Sequence, residues 1–99
     1  MDVLRPALMA GQAALAAEMT GLSAGAFAMT LGYLSERQQF GRLIGSFQAL
    51  QHRMADMFLH CQCLRSLLLA AMIARDKSPR DSSRAASAVK VKLDEAGRY

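Results

Sequence analysis

Apolar residues recur at helical spacing along most of the chain, and the pattern is clearest between residues 46 and 76. Such a heptad-like seam is typical of a helix that lies antiparallel to a neighbour in a bundle. The seam alternates steps of three and four residues: Phe47, Leu50, Met54, Met57, Cys61, Leu64, Leu68 and Ala71. Further apolar residues widen it: Phe58, Leu67, Leu69 and Met72. We predict a helix over residues 46–76 that contacts more than one partner.

The preceding segment, residues 3–38, is predicted to form a helix rich in Ala and Gly. Its small residues recur at spacings of four, three and four: Gly21, Gly25, Ala28 and Gly32. Each helical glycine costs about 1 kcal/mol relative to alanine, so a compensating close contact with another helix is expected. We interpret this row as a packing seam of a soluble bundle rather than as a dimer motif in lipid.

Start and stop signals separate the helices. Ser78 as N-cap and Pro79 as first helical residue predict a third helix over residues 79–98. Gly41 is predicted to cap the end of the first helix, because glycine tolerates a positive φ. Ser46 is predicted to be the N-cap of the second helix.

These elements predict an all-α fold, an up-and-down bundle of three long helices within one domain, residues 1–99. Val and Ile are few, so there is little from which to build strands. The second helix is apolar over more than half of its circumference, and three helices cannot cover that surface. We therefore predict an incomplete four-helix bundle that self-association completes, which makes the chain a homo-oligomer.

The charge pattern and the cysteines narrow the choice of partners and compartment. The net charge is +4, but Lys and Arg are scattered rather than gathered on one face, so no nucleic-acid partner is expected. Cys61 and Cys63 lie about 200° apart on a helix and cannot bridge each other. Two free thiols are typical of a reducing compartment, so a cytoplasmic location is expected.

A membrane helix must be considered for the apolar run over residues 6–34. Glu18 lies in the middle of this run and would cost about 2.5 kcal/mol or more near a bilayer centre. The N-terminus also lacks the basic and compact apolar regions of a signal peptide. We predict no membrane partner.

Candidate chemistry is sparse. His52, Asp56 and His60 share one helical face, with Cys63 nearby. One straight helix cannot wrap three ligands round a zinc ion, so we predict a solvated, ion-paired face and no metal site. The chain has no Ser-His-Asp order, no phosphate-binding glycine loop and no Cys-x-x-Cys. From these residues alone the function stays open.

A specific pattern surrounds the break between the first two helices. It reads Y-x-x-x-R-x-Q-F-G-x-x-I-x-x-F-Q and leads into A-D-M, and it closely resembles the C-terminal helical domain of acyl-CoA dehydrogenases. The matching residues are Gly21, Tyr33, Arg37, Gln39, Phe40, Gly41, Ile44, Phe47, Gln48, Ala55, Asp56 and Met57. Later, AASAVKVKLDEAGRY resembles the family's AS-x-AK helix, with Val89 where Ala is commoner. The resemblance runs from about residue 11 to the end of the sequence.

The resemblance implies an FAD-dependent oxidoreductase that converts an acyl-CoA thioester to its 2,3-enoyl-CoA product. Arg37 would contact the pyrophosphate of an FAD held mainly by a neighbouring subunit, Phe40 would pack against the cofactor, and Gln48 would hydrogen-bond its adenosine half. The stretch GSFQALQHRMADM further resembles a bacterial branch that acts on bulky or steroid-derived acyl-CoA. The family's usual catalytic glutamate follows in a segment absent from these residues. No catalytic residue is therefore expected here, and the chain alone should be inactive and bind FAD weakly or not at all.

Each of these assignments has an ordinary structural alternative. Arg37 could pair with Glu36 or Asp56, Phe40 could fasten the turn, and Gln48 could simply be hydrated. The rival function is a stand-alone helical interaction or oligomerisation module without catalytic activity.

Overall fold

The computed structural model describes residues 3–98, with the side chains of residues 79–83 excepted. Helices account for nearly all of it, and the all-α prediction is confirmed. A small antiparallel hairpin and a 3₁₀ turn separate the first two helices. The elements in order are α1 (Leu4–Glu36), β1 (Gln38–Gln39), β2 (Arg42–Leu43), the 3₁₀ turn (Ile44–Ser46), α2 (Gln48–Lys77) and α3 (Pro79–Gly97).

The three helices run up, down and up along a body of 62 × 19 × 16 Å. α1 and α2 lie antiparallel, so the thiol of Cys61 reaches the backbone carbonyl of Ser23 at 3.7 Å. α3 turns back along the C-terminal half of α2 and also contacts α1. The half of the molecule near the hairpin is therefore built mainly from α1 and α2.

The core lies where all three helices meet. Leu64 of α2 and Val89 of α3 are completely buried, Leu93 is nearly so, and Ala16 of α1 packs against them. The predicted seam of α2 is confirmed, because each of its eight positions is buried or half-buried. Most of the residues that widen it are exposed instead: Phe58, Leu69 and Met72.

The small-residue seam of α1 faces open space. A Cβ added at Gly21, Gly25 or Gly32 would meet no atom within 4 Å. Within the described residues no helix packs on the predicted seam, because α2 and α3 lie against the side of α1 that carries Ala16, so the close contact with another helix stays a prediction. Leu22 and Met29 beside the seam are 66% and 78% exposed. A long apolar face of α1 is thus uncovered.

The accessible surface of the chain is 7459 Å². A globular protein of 10.7 kDa exposes about 5,500 Å², so this chain exposes about 2,000 Å² more than its mass requires. An excess of this size exceeds the roughly 800 Å² that each partner buries in a standard interface.

α1 and α2 are each long and apolar enough to span a bilayer by length and composition. Core helices of soluble proteins pass the same test, so the finding does not by itself separate lipid from a protein partner. The prediction of no membrane partner stays a prediction.

Two helix-end predictions are corrected by the structure. α1 ends at Glu36, and Gly41 lies in the hairpin turn rather than at the helix end, although its φ of +78° has the predicted sign. The N-cap of α2 is Phe47, not Ser46, whose hydroxyl donates instead to the carbonyl of Leu43 at 2.6 Å. Gly41 lies in the hairpin turn and Ser46 in the 3₁₀ turn, so neither residue caps a helix.

Candidate functional site

The segment that joins α1 to α2, residues 37–48, contains the three predicted site residues, and we call it the corner. Its backbone is held at both ends of the hairpin. The amide of Arg37 donates to the carbonyl of Tyr33 at 2.9 Å, and the amide of Ile44 donates to the carbonyl of Arg37 at 2.9 Å. Arg37 therefore leaves the helix in an extended conformation, with φ −73° and ψ 131°.

The tip of the corner is a two-residue hairpin turn formed by Phe40 and Gly41. The strands pair Gln38 with Leu43 and Gln39 with Arg42. Both turn residues have positive φ, 55° at Phe40 and 78° at Gly41, as a type I′ turn requires. A bulky residue in the left-handed region costs about 1–2 kcal/mol. Strain of this kind is concentrated at binding sites, where the surrounding structure holds it in place.

The Phe40 side chain is 92% exposed. Its ring meets the ring of Phe47 edge-on, with centroids 6.2 Å apart at 90°. The guanidinium carbon of Arg42 lies 4.0 Å from the centroid of the Phe47 ring. Arg42, Phe47 and Phe40 thus form a continuous row of contacts from the second hairpin strand to the turn.

The side chains of Arg37 and Gln48 are exposed at the same corner. Within the part of the chain that the structure describes, Arg37 forms no ion pair. The alternative in which it pairs with Glu36 or Asp56 is therefore not observed. Gln48 is the first residue of α2, and its exposed amide is compatible with either water or a ligand. The assignment of these two residues and Phe40 to a cofactor stays a prediction.

A close backbone contact supports the corner from beneath. A Cβ added at Gly45 would lie 2.7 Å from the carbonyl oxygen of Leu34. The 3₁₀ turn therefore rests directly on the last turns of α1, an approach that only glycine permits. The side-chain amide of Gln51 donates to the carbonyl of Gly45 at 3.0 Å and ties the same turn to α2.

The perturbed titratable groups lie away from the corner. A hydrogen bond from Lys92 at 2.8 Å lowers the pKa of Glu95, and the same bond raises the pKa of Lys92. Burial raises the pKa of Cys61. Cys61 lies between α1 and α2, Lys92 and Glu95 form one surface ion pair on α3, and none of the three lies at the corner.

His52, Asp56, His60 and Cys63 share one side of α2. No group of three or more His, Cys, Asp or Glu residues that could hold a metal ion was found among the described residues.

Sequence reasoning missed two features of the corner. The sequence pattern predicts only a place in the helical seam for Phe47 and no role for Arg42, whereas the structure places the Arg42 guanidinium over the Phe47 ring. Gly45 gave no signal of its own, since its role depends on the carbonyl of Leu34. The Phe40–Gly41 pair flanked by polar residues was the available signal for a tight turn.

Comparison with known proteins shows what the chain resembles. The sequence model described as "Acyl-CoA dehydrogenase, C-terminal domain" matches residues 1–99. The chain is 46% identical over 57 residues to the acyl-CoA dehydrogenase IpdE2 of Mycobacterium tuberculosis, covering 58% of this chain and 18% of that protein. It is 42% identical over 57 residues to the mitochondrial short/branched chain specific acyl-CoA dehydrogenase of Bos taurus, covering 58% of this chain and 13% of that protein.

A relative with a different named reaction also matches. The 3-sulfinopropanoyl-CoA desulfinase of Paraburkholderia xenovorans is 37% identical over 76 residues, covering 77% of this chain and 19% of that protein. The chain therefore spans less than a fifth of the length of these curated relatives. No solved structure matches it significantly.

Proposed function

The chain belongs to the family of acyl-CoA dehydrogenase C-terminal domains, and from that premise we propose that it is the bundle segment of an FAD-dependent acyl-CoA dehydrogenase. The complete protein oxidises an acyl-CoA thioester to its 2,3-enoyl-CoA. This segment contributes cofactor contacts and subunit association to that reaction, and it works in the cytoplasm.

The observation that carries the cofactor proposal is the state of Phe40. This residue is held at a strained positive φ and is 92% exposed, so the chain itself gains little from its placement. An apolar ring presented in this way suits a flat ligand that covers it. Backbone strain without a compensating gain in folding stability is a reason to propose a binding role.

The donor set at the corner suits a dinucleotide. The planar fork of N–H donors of Arg37 matches phosphate oxygens, and its guanidinium forms no ion pair within the described residues. The Gln48 amide offers both a donor and an acceptor for the adenosine half. When bound, FAD supplies the hydride acceptor; the residues of this chain bind it, orient it and shield it from water.

The substrate class follows from the relatives rather than from the corner. Their printed names include acyl-CoA dehydrogenases and an acyl-CoA desulfinase, so an acyl-CoA thioester is the substrate class they share. We place this chain with the dehydrogenases, which supply the larger number of relatives named above. Because it spans less than a fifth of their length, the 99 residues alone are proposed to be inactive.

FAD is expected to shift the amide NMR signals of Phe40, Gly41 and Gln48 when it is titrated into the ¹⁵N-labelled chain at millimolar concentration. Arg37→Met should weaken this binding about ten- to a hundredfold, because a charge-assisted hydrogen bond is worth about 1.5–3 kcal/mol. Arg65→Met, an exposed arginine of α2, is the matched control and should leave the shifts unchanged.

The same titration can contradict the proposal in two ways. Shifts confined to residues outside the corner would place FAD elsewhere. A flavin that stays bound at one per chain through gel filtration would show that these residues form a complete site, not one wall of a site.

Self-association is expected from the uncovered apolar surface of α1 and α2. Light scattering at micromolar concentration should show a dimer or larger species, formed without detergent. A concentration-independent monomer would contradict association, and recovery of the chain only in detergent would contradict the proposal that protein rather than lipid covers these helices.

A further inference from the structure

Arg42 has a contact that neither its neighbours nor the proposed cofactor role explains. Its guanidinium carbon lies over the Phe47 ring, 4.0 Å from the centroid, and within the described part of the chain it takes part in no ion pair. An exposed arginine would ordinarily spread into water and keep its rotamer freedom. Here a planar cation covers one face of an aromatic ring.

Phe47 is an anchored residue. Its amide donates to the carbonyl of Ile44 at 3.1 Å, and its own carbonyl accepts the amides of Leu50 and Gln51, both at 3.1 Å. The ring is half-buried at the start of the α2 seam. A side chain that packs on Phe47 is therefore tied to the first turn of α2.

Phe40 depends on that anchor. With 92% of its surface exposed, it makes one ring contact within the described residues, the edge-on approach to Phe47 at 6.2 Å. Arg42 lies in the strand directly after the turn and is paired with Gln39 across the hairpin. Arg42 and Phe47 together therefore fasten both the hairpin and the ring at its tip to the start of α2.

We infer that Arg42 and Phe47 are a positioning pair that holds Phe40 in its exposed, positive-φ conformation, ready for the cofactor. This inference rests on the proposed function, since the value of a fixed Phe40 is cofactor contact. Arg42 acts through Phe47. The competing hypothesis is that Arg42 donates a hydrogen bond directly to a phosphate of the cofactor, and NMR of the free chain followed by FAD titration distinguishes the two.

The test begins without ligand, using all 99 residues of the chain. The readouts are the ¹⁵N heteronuclear NOE of the Phe40 and Gly41 amides and the ring-proton shifts of Phe40, which sense the Phe47 ring. Arg42→Gln and Phe47→Leu should each lower the NOE and move the ring shifts. Arg42→Lys should do the same, because lysine keeps the charge but has no planar face to stack.

The double variant Arg42→Gln/Phe47→Leu supplies the decisive comparison. If the two residues act as one unit, the double variant should be no more disordered at Phe40 than either single variant. Additive effects would overturn the inference. Arg53→Gln, an exposed arginine one turn into α2, is the matched control, and Phe47→Tyr retains the ring should Phe47→Leu prevent folding.

FAD is then titrated into the same variants. Arg42→Gln should weaken binding about two- to fivefold, the range that an exposed cation–π contact is worth. Weaker FAD binding with an unchanged Phe40 NOE would mean direct phosphate contact and would overturn positioning. An ordered Phe40 that responds to Arg42 while FAD shifts no corner signal would uphold the pair and count against the proposed function alone.

Discussion

Leu64→Ala is expected to lower the free energy of unfolding by about 2–5 kcal/mol, the largest effect we anticipate from a single truncation in this chain. Leu64 has no exposed surface and packs on Val89 and Leu93 of α3, where Ala16 of α1 closes the same cluster. Removing its side chain leaves a cavity at the point where all three helices meet. A small domain has only about 5–15 kcal/mol in total, so much of its stability would be lost.

Urea denaturation followed by circular dichroism at fixed protein concentration measures this loss. Leu59→Ala is the matched control, since Leu59 lies on the same helix and is 59% exposed. It should change stability by no more than about 0.5 kcal/mol. Equal losses for the two variants would show that the core does not lie where Leu64 and Val89 meet.

Gly45→Ala is expected to destabilise the chain by about 1–3 kcal/mol, the usual cost of forcing an extra methyl group into a packed site. The added Cβ would lie 2.7 Å from the carbonyl oxygen of Leu34, and a backbone atom cannot move aside cheaply. The corner should therefore separate from α1, and the amides of residues 37–48 should exchange faster with solvent.

Gly25→Ala provides the opposite case. A Cβ there meets nothing within 4 Å, and the residue lies inside α1, so alanine should stabilise the chain by about 1 kcal/mol. Thermal melts of the two variants should move in opposite directions. A neutral Gly45→Ala would refute the close contact, whereas a destabilising Gly25→Ala would place another surface against the small-residue seam.

The Gly45→Ala and Leu64→Ala variants report on different parts of the molecule. Gly45 supports the corner, so its substitution should weaken FAD shifts along with stability. Leu64 lies in the distant core, so its partial unfolding should affect helices α2 and α3 first. Hydrogen exchange distinguishes the two effects, because it measures local opening of the structure residue by residue.

The corner shows where sequence reasoning reached its limit. The residue types of Arg37, Phe40 and Gln48 were enough to suggest a binding role by resemblance. A strand of two residues has no periodicity to read, so the hairpin was not predicted. The stack of Arg42 on Phe47 followed only once the hairpin had set the direction of the second strand.

The row of small residues on α1 shows a second limit. Its spacing predicts a face suited to close packing, but spacing does not say which helix would pack there. In the structure, α1 turns its Ala16 side towards α2 and α3 and leaves Gly21 and Gly25 open. Within the described residues no helix of this chain covers that face, and a single helix pattern cannot specify which surface would pack there.

The sequence by itself determined the helical class, the seam of α2 and the family, because periodicity and a specific motif are local properties of the chain. Tertiary structure decided the ends of the helices, the exposure of Phe40 and the glycine requirement at residue 45. These depend on distances between atoms far apart in the chain, such as the 2.7 Å that a Cβ at Gly45 would leave to Leu34. No pattern of residue types encodes such a distance before the helices have packed.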